Sequence, residues 1–159
     1  VARKEILESW NAPAHFYNTA GNAISCAASI ATIDVIKEEK LIENANKQGH
    51  YIMERFDSLK DRFDCIGDVR GAGLLIGVDI VKDRVSKERD TNKTAKICWR
   101  CWEKGLILAF FSNSVLRIAP PLSISDEDAI KAMDIIEETI IEVEDGLVPD
   151  EVLNEIKGW

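Results

Sequence analysis

Arg117 stands in "VLRIAPP", between Leu116 and Ile118, at the end of a short apolar run closed by Pro120 and Pro121. A guanidinium in that setting needs an anion, either a structural carboxylate of the same chain or the carboxylate of a bound substrate. A bidentate, charge-assisted contact of that kind contributes about 1.5–3 kcal/mol net. The second chemistry-bearing stretch is "FYNTAGNA", where Asn18 and Thr19 lie in a turn just before a helix capped by Asn22. Backbone N–H groups and a hydroxyl at such a place hold a phosphate. A plain turn with an N-cap explains the same letters, and spacing alone favours the plain turn.

Other residues carry weaker signals. Cys98-Trp-Arg-Cys101 has CxxC spacing, but the chain holds only His15 and His50 as histidines and no second CxxC to complete a zinc site. Its helical surroundings make buried thiols the better account. Gly71-Ala72-Gly73 precedes a strand and not a helix, so it lacks the order that a dinucleotide-binding loop requires. Lys82, beside Asp79, Asp83 and Arg84, reads as a solvated amine, and His15 has no nucleophile beside it in a known motif. No pair of carboxylates is spaced for acid–base work. No catalytic residue and no metal ligand is therefore nominated.

The 159 residues suffice for one domain, and 46% hydrophobic with 30% charged residues describes a globular chain. Nine acids and one base lie between Asp126 and Asp145, while the remaining 19 acids and 19 bases cancel, so the net charge of -8 belongs to one helix. Nucleic acid is not an expected partner, because no basic stripe exists. No apolar run is long enough to span a membrane, and no signal-peptide pattern opens the chain. Four irregularly spaced cysteines fit a reducing compartment, with the cytoplasm as the expected location. Opening on Val1 suggests a processed chain or a piece of a longer one.

The elements that must position Arg117 follow from pattern. Residues 1–10 form a short amphipathic piece. An alanine-rich helix starts after Asn22 with Ile24, Ala28, Ala31 and Val35 in helical spacing, a face that invites close approach of another backbone. A second helix places Ile52, Phe56, Leu59 and Phe63 on one side. "GDVRGAGLLIGVDIV" reads as one strand, near 74–81, entered through glycines. A helix over Lys93–Lys104 ends at Gly105, and "LILAFF" and "VLRIA" make strands near 106–111 and 115–119 joined by Ser112-Asn113-Ser114. Ser125 caps a last helix with Ala129, Met133, Ile136, Ile140 and Val143 as its buried stripe. The expected fold class is α+β, a small antiparallel sheet covered by helices.

Three segments, in order, carry a family resemblance. "HFYNTAGNAISCAASIATIDVI" resembles the turn and long alanine-rich helix of class III (4-aminobutyrate/ornithine-type) aminotransferases. "VRGAGLLIGVDIV" resembles the first strand of that family's small domain, and "LRIAPPLSISDEDAIKAMDIIEETI" its Arg-x-x-Pro-Pro-Leu strand and final helix. Together they cover about residues 1–143, and the nearest branch resembles isoleucine 2-epimerase-like racemases.

The resemblance implies the C-terminal small domain of a fold-type I, pyridoxal-phosphate-dependent enzyme. Residues 1–21 would be a remnant of the cofactor domain, 22–143 the small domain, and 144–159 a tail. Arg117 matches the arginine that meets the substrate carboxylate. The family threonine that reaches the phosphate of a neighbouring subunit's cofactor falls at Asn18 when Asn22 is aligned, so Thr19 takes the role through a shifted turn or Asn18 donates its amide. Ala20 and Ala23 replace the usual Gly and Pro of that turn. The phosphate cradle, the aspartate facing the pyridine nitrogen and the Schiff-base lysine all lie upstream of the matched region. The chain alone is therefore expected to be inactive and not to hold pyridoxal 5'-phosphate. The parent is expected to be a cytoplasmic homodimer, paired through its large domain, that transfers an amino group between an amino acid or ω-amine and a 2-oxo acid. Epimerisation by the same family is the alternative, and a non-catalytic interaction module with this fold is the alternative of another class.

Overall fold

The computed structural model describes residues 3–11 and 21–155. It divides into two compact units, Val1–Glu39 and Lys40–Trp159.

In the first unit, helix α1 spans Lys4–Glu8 and helix α2 spans Ala23–Glu38. Asn22 caps α2 as its side-chain type predicts, its Oδ1 accepting from the N–H groups of Ile24 at 3.0 Å and Ser25 at 3.2 Å. Helix α2 has no buried residue. Its apolar side chains are spread around the helix, with Ile30 and Ile33 exposed on positions outside the Ile24–Ala28–Ala31–Val35 row.

The second unit holds helix α3 (Leu41–Arg62), strands β1 (Ile66–Ala72) and β2 (Leu75–Ile80), helix α4 (Thr91–Glu103), strands β3 (Ala109–Phe111) and β4 (Val115–Ile118), helix α5 (Asp126–Glu144) and a 3-10 turn at Asp150–Asn154. The sheet order is β1-β2-β4-β3, every pair antiparallel. This is the expected α+β arrangement with one element added. "GDVRGAGLLIGVDIV" is a hairpin and not a single strand, because the chain reverses at Gly73, where φ is +55°. Gly71 is needed as well, since a Cβ there would sit 2.6 Å from the Leu75 carbonyl oxygen. The ladder of "LILAFF" is also shorter than its apolar run suggests, only Ala109–Phe111 being paired.

One face of the sheet presents Ile76, Val78, Ile80, Leu116 and Ile118 to a core completed by Ile52 and Phe56 of α3, Ile97 of α4, and Met133, Ile136 and Ile140 of α5. Alternation along each strand puts Leu75, Gly77, Asp79, Val115, Arg117, Ala109 and Phe111 on the other face. The acids of α5 are consumed by its neighbours. Asp134 and Glu137 pair with Arg55 of α3, and Glu142 pairs with Arg100 of α4 and with Lys104 at its C-cap. The concentrated negative charge thus fastens α5 between two basic helix faces. Ser125 caps α5 by accepting from the Asp128 N–H at 3.0 Å, and Gly105 follows α4 with φ +87°, both as their residue types predict.

Candidate functional site

Arg117 occupies the third position of β4. The turn before it is tight because Ser112 and Asn113 both adopt positive φ, 50° and 69°, the conformation that suits a twisted hairpin. That turn sets the register, so Arg117 faces Ala109 on one side and Gly77 on the other. Its side chain is therefore flanked by a methyl group and by no side chain at all. Phe111 lies diagonally across the hairpin on the same face, its ring centroid 5.5 Å from the guanidinium carbon.

The acids on this face are engaged elsewhere. Asp68 accepts from Arg70 at 2.8 Å, and Asp79 accepts from the buried Ser114 hydroxyl at 2.8 Å. Among the described residues no carboxylate forms an ion pair with Arg117, which is exposed. The structural-carboxylate account of Arg117 thus has no partner among them.

Arg117 and Phe111 also border a cavity of about 350 Å³ between the sheet end and α5. Apart from Arg117 its wall is apolar, including Leu106, Ile118, Pro120, Met133 and Ile136. The arrangement combines an unpaired planar cation with apolar surroundings, which suits a carboxylate carried on a small organic molecule.

Asn18, Thr19 and His15, the other residues singled out for phosphate or polar chemistry, lie outside the described residues. The two cysteines of the CxxC stretch behave as structural thiols. Burial pushes Cys98 up to about 12 and Cys101 to about 11, so both are protonated at neutral pH and poor ligands or nucleophiles. Among the described residues no group of His, Cys, Asp or Glu is arranged to hold a metal ion, and no helix is long and apolar enough to cross a membrane.

A covalently anchored carbonyl cofactor requires an unprotonated lysine, and several of the described lysines are engaged by carboxylates. Lys82 is raised by its 2.5 Å hydrogen bond to Glu88. At Lys93 and Lys104 burial opposes the charge, but Glu144 for the first, and Glu138 and Glu142 for the second, outweigh it and hold the ammonium. Lys47 and Lys96 are paired with Asp126 and Asp150.

Phe111 and Gly77 were not among the residues that sequence reasoning nominated. The signal that finds them is the three-residue loop, which fixes 111 opposite 115 and 109 opposite 117.

The family model described as "Aminotransferase class-III" matches residues 1–140. A leucine/methionine racemase of Thermococcus litoralis is 44% identical over 159 residues, all of this chain and 36% of the relative. An isoleucine 2-epimerase of Lentilactobacillus buchneri is 37% identical over 148 residues, 93% of this chain and 33% of the relative. Among solved structures, acetylornithine aminotransferase from Elizabethkingia anophelis superposes with a TM-score of 0.74 at 32% identity, covering 89% of this chain and 36% of that one. The chain spans about a third of the length of these relatives.

Proposed function

Because the chain belongs to the class-III aminotransferase family, we propose that it supplies the substrate-carboxylate site of a pyridoxal-phosphate enzyme acting at the α-carbon of an amino acid. The observation that carries the proposal is Arg117, exposed beside Gly77 with no carboxylate partner among the described residues. The guanidinium binds the carboxylate by two parallel hydrogen bonds and fixes the orientation of the α-carbon relative to the protein. In this account the chain's own contribution is binding and orientation. Residues 22–143 are the small domain in this account, and Asn18 and Thr19 are its contribution to a neighbouring subunit's phosphate site. The parent is a cytoplasmic homodimer.

Racemisation or epimerisation is the reaction supported by the curated relatives, since those at 44%, 43% and 37% identity are named leucine/methionine racemase, alanine/serine racemase and isoleucine 2-epimerase. Transamination is the second reading, supported by an acetylornithine aminotransferase relative at 33% identity and by solved structures titled as transaminases. Chiral chromatography of L-leucine incubated with the longer polypeptide and pyridoxal phosphate, with no 2-oxo acid added, separates them. Catalytic accumulation of D-leucine supports racemisation. Formation of a 2-oxo acid that stops unless a second 2-oxo acid is added favours transamination. No change with any amino acid or ω-amine favours a non-catalytic module.

A further inference from the structure

Arg117 has a long, rotatable side chain on an exposed face, and an unrestrained guanidinium must be ordered when a ligand arrives, at a cost in affinity. A carboxylate neighbour would order it but would also occupy its donors and compete with the ligand. The structure shows a different solution. Phe111, opposite Val115, is the diagonal neighbour of Arg117 across the β3–β4 hairpin, and its ring lies 5.5 Å from the guanidinium carbon. A ring attracts the cation through its π face and consumes none of the five N–H donors. On the other side Gly77 brings no side chain of its own, the Val115 methyl lying 3.3 Å from where its Cβ would be, and Asp68 and Asp79 are held by Arg70 and Ser114.

We propose that Phe111 is a positioning residue for Arg117: its ring pre-orders the guanidinium while leaving the exposed fork open to the carboxylate of the amino acid. The proposal rests on the carboxylate-binding role given to Arg117 above, and the experiment separates the two. The longer polypeptide, loaded with pyridoxal phosphate, is prepared as wild type, Phe111→Leu, Phe111→Met, Phe111→Tyr and Arg117→Ala. Each is titrated with L-leucine, L-methionine, L-alanine, L-serine and L-isoleucine, the amino acids in the relatives' names, and the tightest wild-type ligand is used throughout. Phe111→Leu and Phe111→Met raise KM and the dissociation constant about two- to fivefold with kcat unchanged, and Phe111→Tyr restores the wild-type values. Arg117→Ala weakening the ligand tenfold or more while both ring-less variants match wild type overturns the positioning role and leaves the carboxylate site standing. Arg117→Ala binding as tightly as wild type overturns the carboxylate site itself. A fall in melting temperature that accompanies the affinity change and that tyrosine does not repair assigns Phe111 to packing and overturns the proposal.

Discussion

Gly49 of α3 and Gly73 of the β1–β2 turn meet backbone to backbone: a Cβ on Gly49 would lie 2.0 Å from the Gly73 carbonyl oxygen. Neither residue has a flexible side chain that can yield. This approach docks α3 against the end of the hairpin whose second strand pairs with Arg117.

Gly49→Ala is accordingly expected to destabilise the fold, although alanine is normally the better helix residue by about 1 kcal/mol. Overpacking of this kind costs about 1–3 kcal/mol, so the net sign is destabilising. Urea denaturation checks it. An alanine variant as stable as wild type or more so would show that the helix and hairpin do not approach this closely.

The pH dependence of stability follows from α5. Glu142 accepts from Arg100 Nε at 2.5 Å and from Lys104 at 3.0 Å, and these contacts hold its carboxyl at about 2 against an ordinary 4.5. A depressed folded-state value means that the stabilisation is complete above pH 4.5 and is lost as pH falls from there towards 2. Melting temperatures of wild type and Glu142→Gln should differ most at neutral pH and converge through that window. A difference that stays constant would remove the Arg100–Glu142–Lys104 cluster from the account.

The lysines predict the behaviour of the 159 residues on their own. With Lys82, Lys93 and Lys104 held as ammonium by carboxylates, none of these three is poised to capture a carbonyl. Incubation with pyridoxal phosphate, borohydride reduction and peptide mapping should find no single lysine modified stoichiometrically. One specific, fully labelled lysine would contradict this.

Most of the sheet was legible because its strands carry apolar runs and its hairpin carries Asn113, and the α5 stripe was legible because Ala129, Met133, Ile136 and Ile140 recur at helical spacing. Strand β1 was not. "IGDVRGA" contains two glycines, Asp68 and Arg70, so its residues have little intrinsic preference for a strand. It forms because β2 offers it a pairing partner from Asp68 to Ala72 and because Gly71 permits the close passage beside Leu75. In the site, Arg117 was visible as a cation in an apolar run. Phe111 and Gly77 matter only through their register with it, and register is a property of the folded hairpin and not of any one segment.

The central claim, that Arg117 receives a substrate carboxylate, is tested most directly by amino-acid affinity in Arg117→Ala and Arg117→Lys of the longer polypeptide. Loss of one charge-assisted contact of about 1.5–3 kcal/mol corresponds to a fall of roughly ten- to hundredfold for alanine. Lysine should recover only part of it, because it keeps the charge without the planar fork, and cofactor binding should be unchanged in both. Undiminished amino-acid affinity in the alanine variant, together with a lowered melting temperature, would instead make Arg117 a structural cation of the sheet.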